Sequence, residues 1–132
     1  MNDANQLSNR VLLVEDDIQL SDVVKRYLVS LGYRVDVLSN GYRAAELVEH
    51  HNYLVAFLDI LMPGQSGLDT LRDIRDGKKG KVLPVIMLTN VKNDAMLERA
   101  RQMEVLDYLV KVDTDLEKIK EILERIQKRL TV

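Results

Sequence analysis

Asp59 closes an apolar run, Leu54-Val55-Ala56-Phe57-Leu58, and is followed at once by Ile60-Leu61-Met62-Pro63-Gly64-Gln65-Ser66-Gly67. A carboxylate in that position stands at a strand tip. Glu15, Asp16 and Asp17 follow a second apolar run at 11–14, and Thr89 and Lys111 lie at or just past the ends of two later ones. Acids, a hydroxyl and an ammonium therefore arrive at matching points of the chain. Phosphoryl chemistry on an aspartate needs that donor set: a carboxylate nucleophile, with positive charge and a hydrogen-bond donor for the incoming group.

Carboxylates gathered at neighbouring strand ends repel one another unless a cation joins them. An all-oxygen ligand set favours Mg²⁺ or Mn²⁺. Asp16 and Asp59 are the direct ligands expected, with a main-chain carbonyl after Asp59, and Glu15 is expected to hold a metal-bound water. Asp17 suits the cap of the first helix better than the metal. Lys111 at about 4 Å from a phosphoryl oxygen would gain roughly 4 kcal/mol at an effective dielectric near 20, and Thr89 would add a directional hydrogen bond. Taken singly, an Asp pair at a helix start is usually a cap, a strand-end Lys is usually solvated and a strand Thr usually packs. Their common placement at one edge of one sheet is what carries the reading.

Apolar runs of strand length alternate with segments of helical period five times, which predicts a doubly wound α/β domain, a five-stranded parallel sheet with five helices on its two faces. Strands are expected near 10–14, 33–38, 54–58, 83–88 and 106–110. The runs at 11–14, 54–58 and 85–88 are uninterrupted, as strands buried on both faces require, whereas the second alternates and the fifth is short with Asp107 inside it. Strands one, three and four are thus interior and the order is 2-1-3-4-5, the flavodoxin-like order, whose ligand crevice lies beyond the carboxyl ends of the strands. The first helix, near 17–31, carries an inward stripe of Leu20, Val23, Val24, Tyr27, Leu28 and Leu31 and stops at Gly32. Asn40, Ser66 and Asn93 are candidate caps of helices two, three and four, with Met96, Ala100 and Met103 inward on the fourth. Thr114 and Glu117 have capping-box spacing ahead of the fifth helix.

With 132 residues the chain suits one domain, expected over 10–130, with residues 1–9 lying loose ahead of it. Cysteine is absent, which removes disulfides and thiolate metal sites and suits a reducing compartment. Lys plus Arg of 19 against Asp plus Glu of 21 gives a net charge of -2, so nothing in the charge balance drives direct binding to nucleic acid. No run is long and apolar enough for a membrane span, nor does the start resemble a secretory signal, and a cytoplasmic location is expected. The Gly- and Lys-rich stretch at 77–81 reads as a solvated connector, and His50 and His51, adjacent at a helix end, diverge too far to form a metal or phosphohistidine site.

Across 10–129 the chain closely resembles the receiver domain of two-component response regulators. Leu-Leu-Val-Glu-Asp-Asp at 12–17 resembles that family's acidic pocket, and Asp59 with Met62-Pro63 and Gly67 its phosphoacceptor motif. Leu88-Thr89 resembles the strand carrying the switch hydroxyl, and Asp107-Tyr108-Leu109-Val110-Lys111 the segment carrying the switch aromatic and the lysine. Thr89 and Lys111 stand 30 and 52 residues after Asp59, as the resemblance requires. It implies that a histidine kinase or histidine phosphotransfer protein donates a phosphoryl group to Asp59, that the Leu61 carbonyl is a metal ligand, and that Thr89 and Tyr108 move inward. The surface of helix four, strand five and helix five is thereby re-formed for a downstream protein target or a phosphorylation-dependent homodimer. Such a domain is not an enzyme beyond its own phosphorylation and dephosphorylation.

Two positions depart from the family. Val112 follows Lys111 where a proline after a cis bond is usual; without proline the cis form is disfavoured by about 3 kcal/mol, and the loop before helix five is expected to differ. Asn90 replaces a small residue after the switch hydroxyl and is expected to narrow donor access. Rival readings fare less well. The acidic loop after strand one would repel a flavin phosphate, a phosphatase with an aspartyl nucleophile usually has an acid where this chain has Leu61, and a receiver-like module that takes no phosphate would not need the full acid, hydroxyl and lysine set. The reading leaves open a stand-alone regulator or part of a longer one.

Overall fold

The computed structural model describes residues 8–90, 93–111 and 115–130. Among them, five strands and five helices alternate: β1 (Arg10–Val14), α1 (Ile18–Ser30), β2 (Arg34–Leu38), α2 (Ala44–His50), β3 (Val55–Asp59), α3 (Gly67–Arg75), β4 (Val85–Thr89), α4 (Asp94–Gln102), β5 (Asp107–Val110) and α5 (Leu116–Leu130). All pairings are parallel and the sheet order is β2-β1-β3-β4-β5, as the apolar runs predict.

Alternation along the strands divides the core in two. Val11, Leu13, Val55, Phe57, Ile86, Leu88 and Leu109 face α1 and α5, where they meet Val24, Leu28, Ile119, Leu123 and Ile126. Leu12, Val14, Ala56, Leu58, Val85 and Met87 face α2, α3 and α4 and pack on Ala44, Val48, Leu71, Ile74, Leu97 and Ala100. Every residue of β3 and β4 is buried, which explains why those two runs show no polar interruption.

The differences from the sequence reading have local causes. β4 begins at Val85 rather than 83 because Pro84 has no N–H for the ladder, although its carbonyl accepts from Ala56 at 3.0 Å. Val23, placed on the inner stripe of α1, is 51% exposed, and Ser21 is buried in that helix, its hydroxyl donating to the Ile18 carbonyl at 3.1 Å. Asn40 caps a turn instead of a helix: its Oδ1 accepts from the Tyr42 N–H at 3.0 Å, and α2 starts at Ala44 without a side-chain cap. Leu97, omitted from the inner face of α4, is its buried leucine. Asp17, Ser66 and Asn93 do cap α1, α3 and α4, accepting from Leu20, Asp69 and Met96. Thr114 and Val112 lie outside the described residues, as do residues 1–7. Ser8 and Asn9, grouped with the loose start, are tied down, Ser8 by its hydroxyl to the Asn52 carbonyl and Asn9 by its amide to the Gly32 carbonyl at 3.0 Å.

The 77–81 stretch is more than a solvated connector. The Glu49 carboxylate, from α2, accepts the main-chain N–H groups of Lys78, Lys79 and Gly80 at 3.1, 3.2 and 2.9 Å, and those bonds lower its pKa. His50 and His51 diverge as expected, His50 onto the Glu46 carbonyl and His51 onto Arg10.

One glycine sets how closely α3 approaches the tip of β3. A Cβ at Gly67 would lie 2.1 Å from the Asp59 carbonyl oxygen, while the Gly67 N–H donates to the Ile60 carbonyl at 2.8 Å. Gly67→Ala is therefore expected to cost about 1–3 kcal/mol in urea unfolding, as the start of α3 is pushed off β3; an unchanged midpoint would show that the approach is not tight.

Candidate functional site

The site is assembled by register. Val14 pairs with Leu58 and Thr89 with Val110, so the next residues outward, Glu15 and Asp59 on one side and Lys111 on the other, emerge at the same rim. Main-chain bonds beyond the ladders pin that rim: Glu15 N–H to Leu38 at 2.9 Å, Ile60 N–H to Leu88 at 2.9 Å and Lys111 N–H to Thr89 at 2.7 Å. Glu15, Asp59 and Lys111 all follow the parity of the α1/α5 face, two positions beyond Leu13, Phe57 and Leu109. Their side chains meet. Lys111 Nζ lies 2.7 Å from Glu15 Oε1 and 3.0 Å from Asp59 Oδ2.

The remaining acceptors are largely met by main chain. Glu15 Oε2 takes the Asp17 N–H at 3.0 Å and Asp59 Oδ1 takes the Leu61 N–H at 3.2 Å. Glu15 and Asp59 are 1% and 2% exposed, while Asp16 faces solvent. Carboxylate oxygens of Glu15, Asp16 and Asp59 lie within 4.8 Å of one another, an all-oxygen set that fits a small divalent cation. Asp17, the cap of α1, serves this cluster through its N–H rather than its carboxylate, a role its residue type could not signal.

Three carboxylates against one ammonium leave negative charge in excess. Burial, foremost, and the adjoining Glu15 push the Asp59 carboxyl up to about 7, against the opposing pull of Lys111. Burial also works against the charge on Lys111, but its bonds to Glu15 and Asp59 prevail and raise its pKa.

Thr89 is 1% exposed and ends β4 with the parity of Val85 and Met87, toward the α2, α3 and α4 face. Tyr108 pairs with Met87 and shares that parity; it is 37% exposed, and its N–H donates to Asp107 Oδ1 at 2.8 Å. By strand parity, Thr89 and Tyr108 thus start from the face opposite to that of Asp59, which pairs with Leu88. Leu61 is exposed just past β3 and Asn90 is exposed just past Thr89.

A signal-receiver domain is the class of protein that this sheet order and this acidic rim define. The chain belongs to the response regulator receiver domain family, whose model matches residues 11–124. It is 33% identical over 105 residues to the regulatory protein VanRB of Enterococcus faecalis, covering 80% of this chain and 46% of that protein. It is 38% identical over 104 residues to the transcriptional regulatory protein TctD of Salmonella typhimurium, covering 77% of this chain and 45% of that one. The chain thus spans about half the length of these curated relatives. Among solved structures, it resembles the receiver domain of a sensor histidine kinase of Pseudomonas aeruginosa PAO1, which holds a magnesium ion in its active-site cleft (TM-score 0.80, 31% identity, 90% of this chain and 97% of that one). The fold is also that of the chemotaxis protein CheY4 of Vibrio cholerae (TM-score 0.82, 24% identity, 91% and 99% covered). Among the described residues, no helix is long and apolar enough to cross a membrane.

The raised pKa of Asp59 makes stability depend on pH. An unfolded aspartate ionises near 3.8 and the folded one near 7, so between these values the folded state binds the extra proton and stability falls as pH rises. Without divalent cations, Asp59→Asn should be more stable than the parent by about 1–3 kcal/mol above pH 7, with the gap closing toward pH 4. Urea unfolding across that range measures it; a gap independent of pH would contradict the assignment.

Proposed function

We propose that this receiver domain takes a phosphoryl group onto Asp59 from a histidine kinase or histidine phosphotransfer protein, and that the modified carboxylate resets the α4–β5–α5 surface for a downstream protein. The observation that carries this reading is the buried Asp59 carboxylate held 3.0 Å from Lys111 at the rim of a parallel sheet. An oxygen of Asp59 attacks phosphorus and the P–N bond to the donor imidazole breaks, its electron pair staying on that nitrogen; the ring, already protonated at its other nitrogen, departs as neutral imidazole. Asp59 must be ionised to attack, and Lys111 stabilises that form. As the P–O bond forms, Lys111 can transfer one of its three donors to a phosphoryl oxygen while retaining Glu15. Glu15, Asp16, Asp59 and the Leu61 carbonyl are the groups that would hold Mg²⁺ or Mn²⁺; the ion, when bound, neutralises charge on the carboxylates and the transferring group. Asn90, exposed directly after Thr89, would narrow the access of the donor.

Thr89 is the contact proposed to discriminate the modified state. A hydroxyl drawn toward the phosphoryl group leaves space on the α4 face, and Tyr108, on the same face, moves into it. The switch operates only because the phosphoryl group bonds one arrangement better than the other. Between the start of β5 and α5, a groove of about 290 Å³ lined by Leu106, Asp107, Ile122, Arg125, Ile126 and Arg129 offers apolar and charged contacts to a protein target or a second copy. The proposed setting is the cytoplasm.

Acetyl phosphate with Mg²⁺ should add one phosphoryl mass to the parent protein and none to Asp59→Ala. Lys111→Ala should slow the addition by about two orders of magnitude. Phosphorylation of Asp59→Ala to the same extent would refute the acceptor.

A further inference from the structure

Arg75 closes α3, and its guanidinium is spent on main-chain carbonyls. Nε donates to Met103 at 2.8 Å, Nη1 to Gly80 at 2.6 Å and Leu83 at 2.8 Å, and Nη2 to Glu104 at 3.1 Å. The acceptors come from two separate connections, the α3–β4 loop and the α4–β5 turn. Met103 is the C-cap of α4, and Glu104 after it has φ of 61°, a left-handed backbone uncommon for a side chain of this type. A cation among the last carbonyls of a helix meets the negative end of its dipole. Burial holds the Arg75 pKa below its ordinary value, in keeping with withdrawal from water.

The other end of α4 is held differently. Its cap is local, Asn93 Oδ1 accepting from Met96 N at 3.1 Å, and Asp94 and Ala95 are exposed with Met96 half-buried. Its buried residues, Leu97 and Ala100, lie nearer the middle and the clamped end. Residues 90–93 join this end to Thr89.

We propose that Arg75 is a positioning residue that makes the C-terminal end of α4 a fixed pivot, so that α4 moves in the switch at the end joined to Thr89. The clamp follows from the bonds above; its use in switching rests on the proposed phosphorylation. The planar fork is essential, because one guanidinium bridges four carbonyls in fixed directions and an ammonium cannot reproduce that geometry.

Hydrogen exchange by mass spectrometry on the full chain tests this with Arg75→Ala and the milder Arg75→Lys, each with and without acetyl phosphate and Mg²⁺. In the unmodified parent, residues 102–106 should exchange more slowly than 93–96. Arg75→Lys should speed exchange at 102–106 by about tenfold while β1 and β3 keep their protection. On phosphorylation, changes in the parent should leave 102–106 as they were while 93–97 change, and in Arg75→Lys they should spread to 102–106. Uniform loss of protection across the sheet would reduce Arg75 to a general stabiliser and overturn the pivot, as would unchanged exchange at 102–106. If Arg75→Ala does not fold, Arg75→Lys decides the matter. A parent that takes no phosphoryl mass would sink the proposed function, while the unmodified proteins would still report whether Arg75 holds the end of α4.

Discussion

Lys111, shared between Glu15 Oε1 and Asp59 Oδ2, is the interaction on which the site depends. Two buried carboxylates next to each other are costly, and an ammonium between them offsets part of that cost only if its geometry is kept. Three strand ends meet there from residues 15, 59 and 111, so the contact requires the sheet order, the parallel register and the burial of β3 to be right together. Asp59 remains hard to ionise even with this partner, and such residual strain is typical of a group that is to react or bind a cation.

The sheet divides the work between its faces. Glu15, Asp59 and Lys111 follow the parity of the α1/α5 layer, whereas Thr89 and Tyr108 follow that of the α4 layer. Adjacent residues of a strand point to opposite faces, so Leu88 and Thr89, neighbours in β4, belong to different layers.

The connections around this core are held by main-chain acceptors and donors more than by surface ion pairs. Glu49 gathers three N–H groups of the 77–81 loop, and Arg75 gathers four carbonyls from two loops. Exposed pairs such as Arg26 with Asp22 add little beside these, because solvent screens them. At the far edge of the sheet, Arg10 Nε, at 2.7 Å, and the Tyr53 hydroxyl, at 2.6 Å, both donate to Asp36, closing the end of the sheet remote from the site.

Much of this was legible in the chain alone. Uninterrupted apolar runs named the interior strands, and those runs end on residues whose chemistry is recognisable by type, so the fold order and the candidates Glu15, Asp16, Asp59, Thr89 and Lys111 could be named without coordinates. Cap chemistry was legible at Asp17, Ser66 and Asn93 but misleading at Asn40, where a turn competed for the same side-chain oxygen. Interactions made through the backbone were not legible: a carbonyl has no residue type, so nothing marked Arg75 as a clamp, the Asp17 N–H as a partner of Glu15, or Gly67 as the point where α3 touches β3. Local pattern decides which residues lie at strand tips, because period and apolarity are properties of a segment. Which face each tip points to, how near the charges come, and which distant carbonyls an arginine reaches depend on register and packing between segments, and only the tertiary structure decides those.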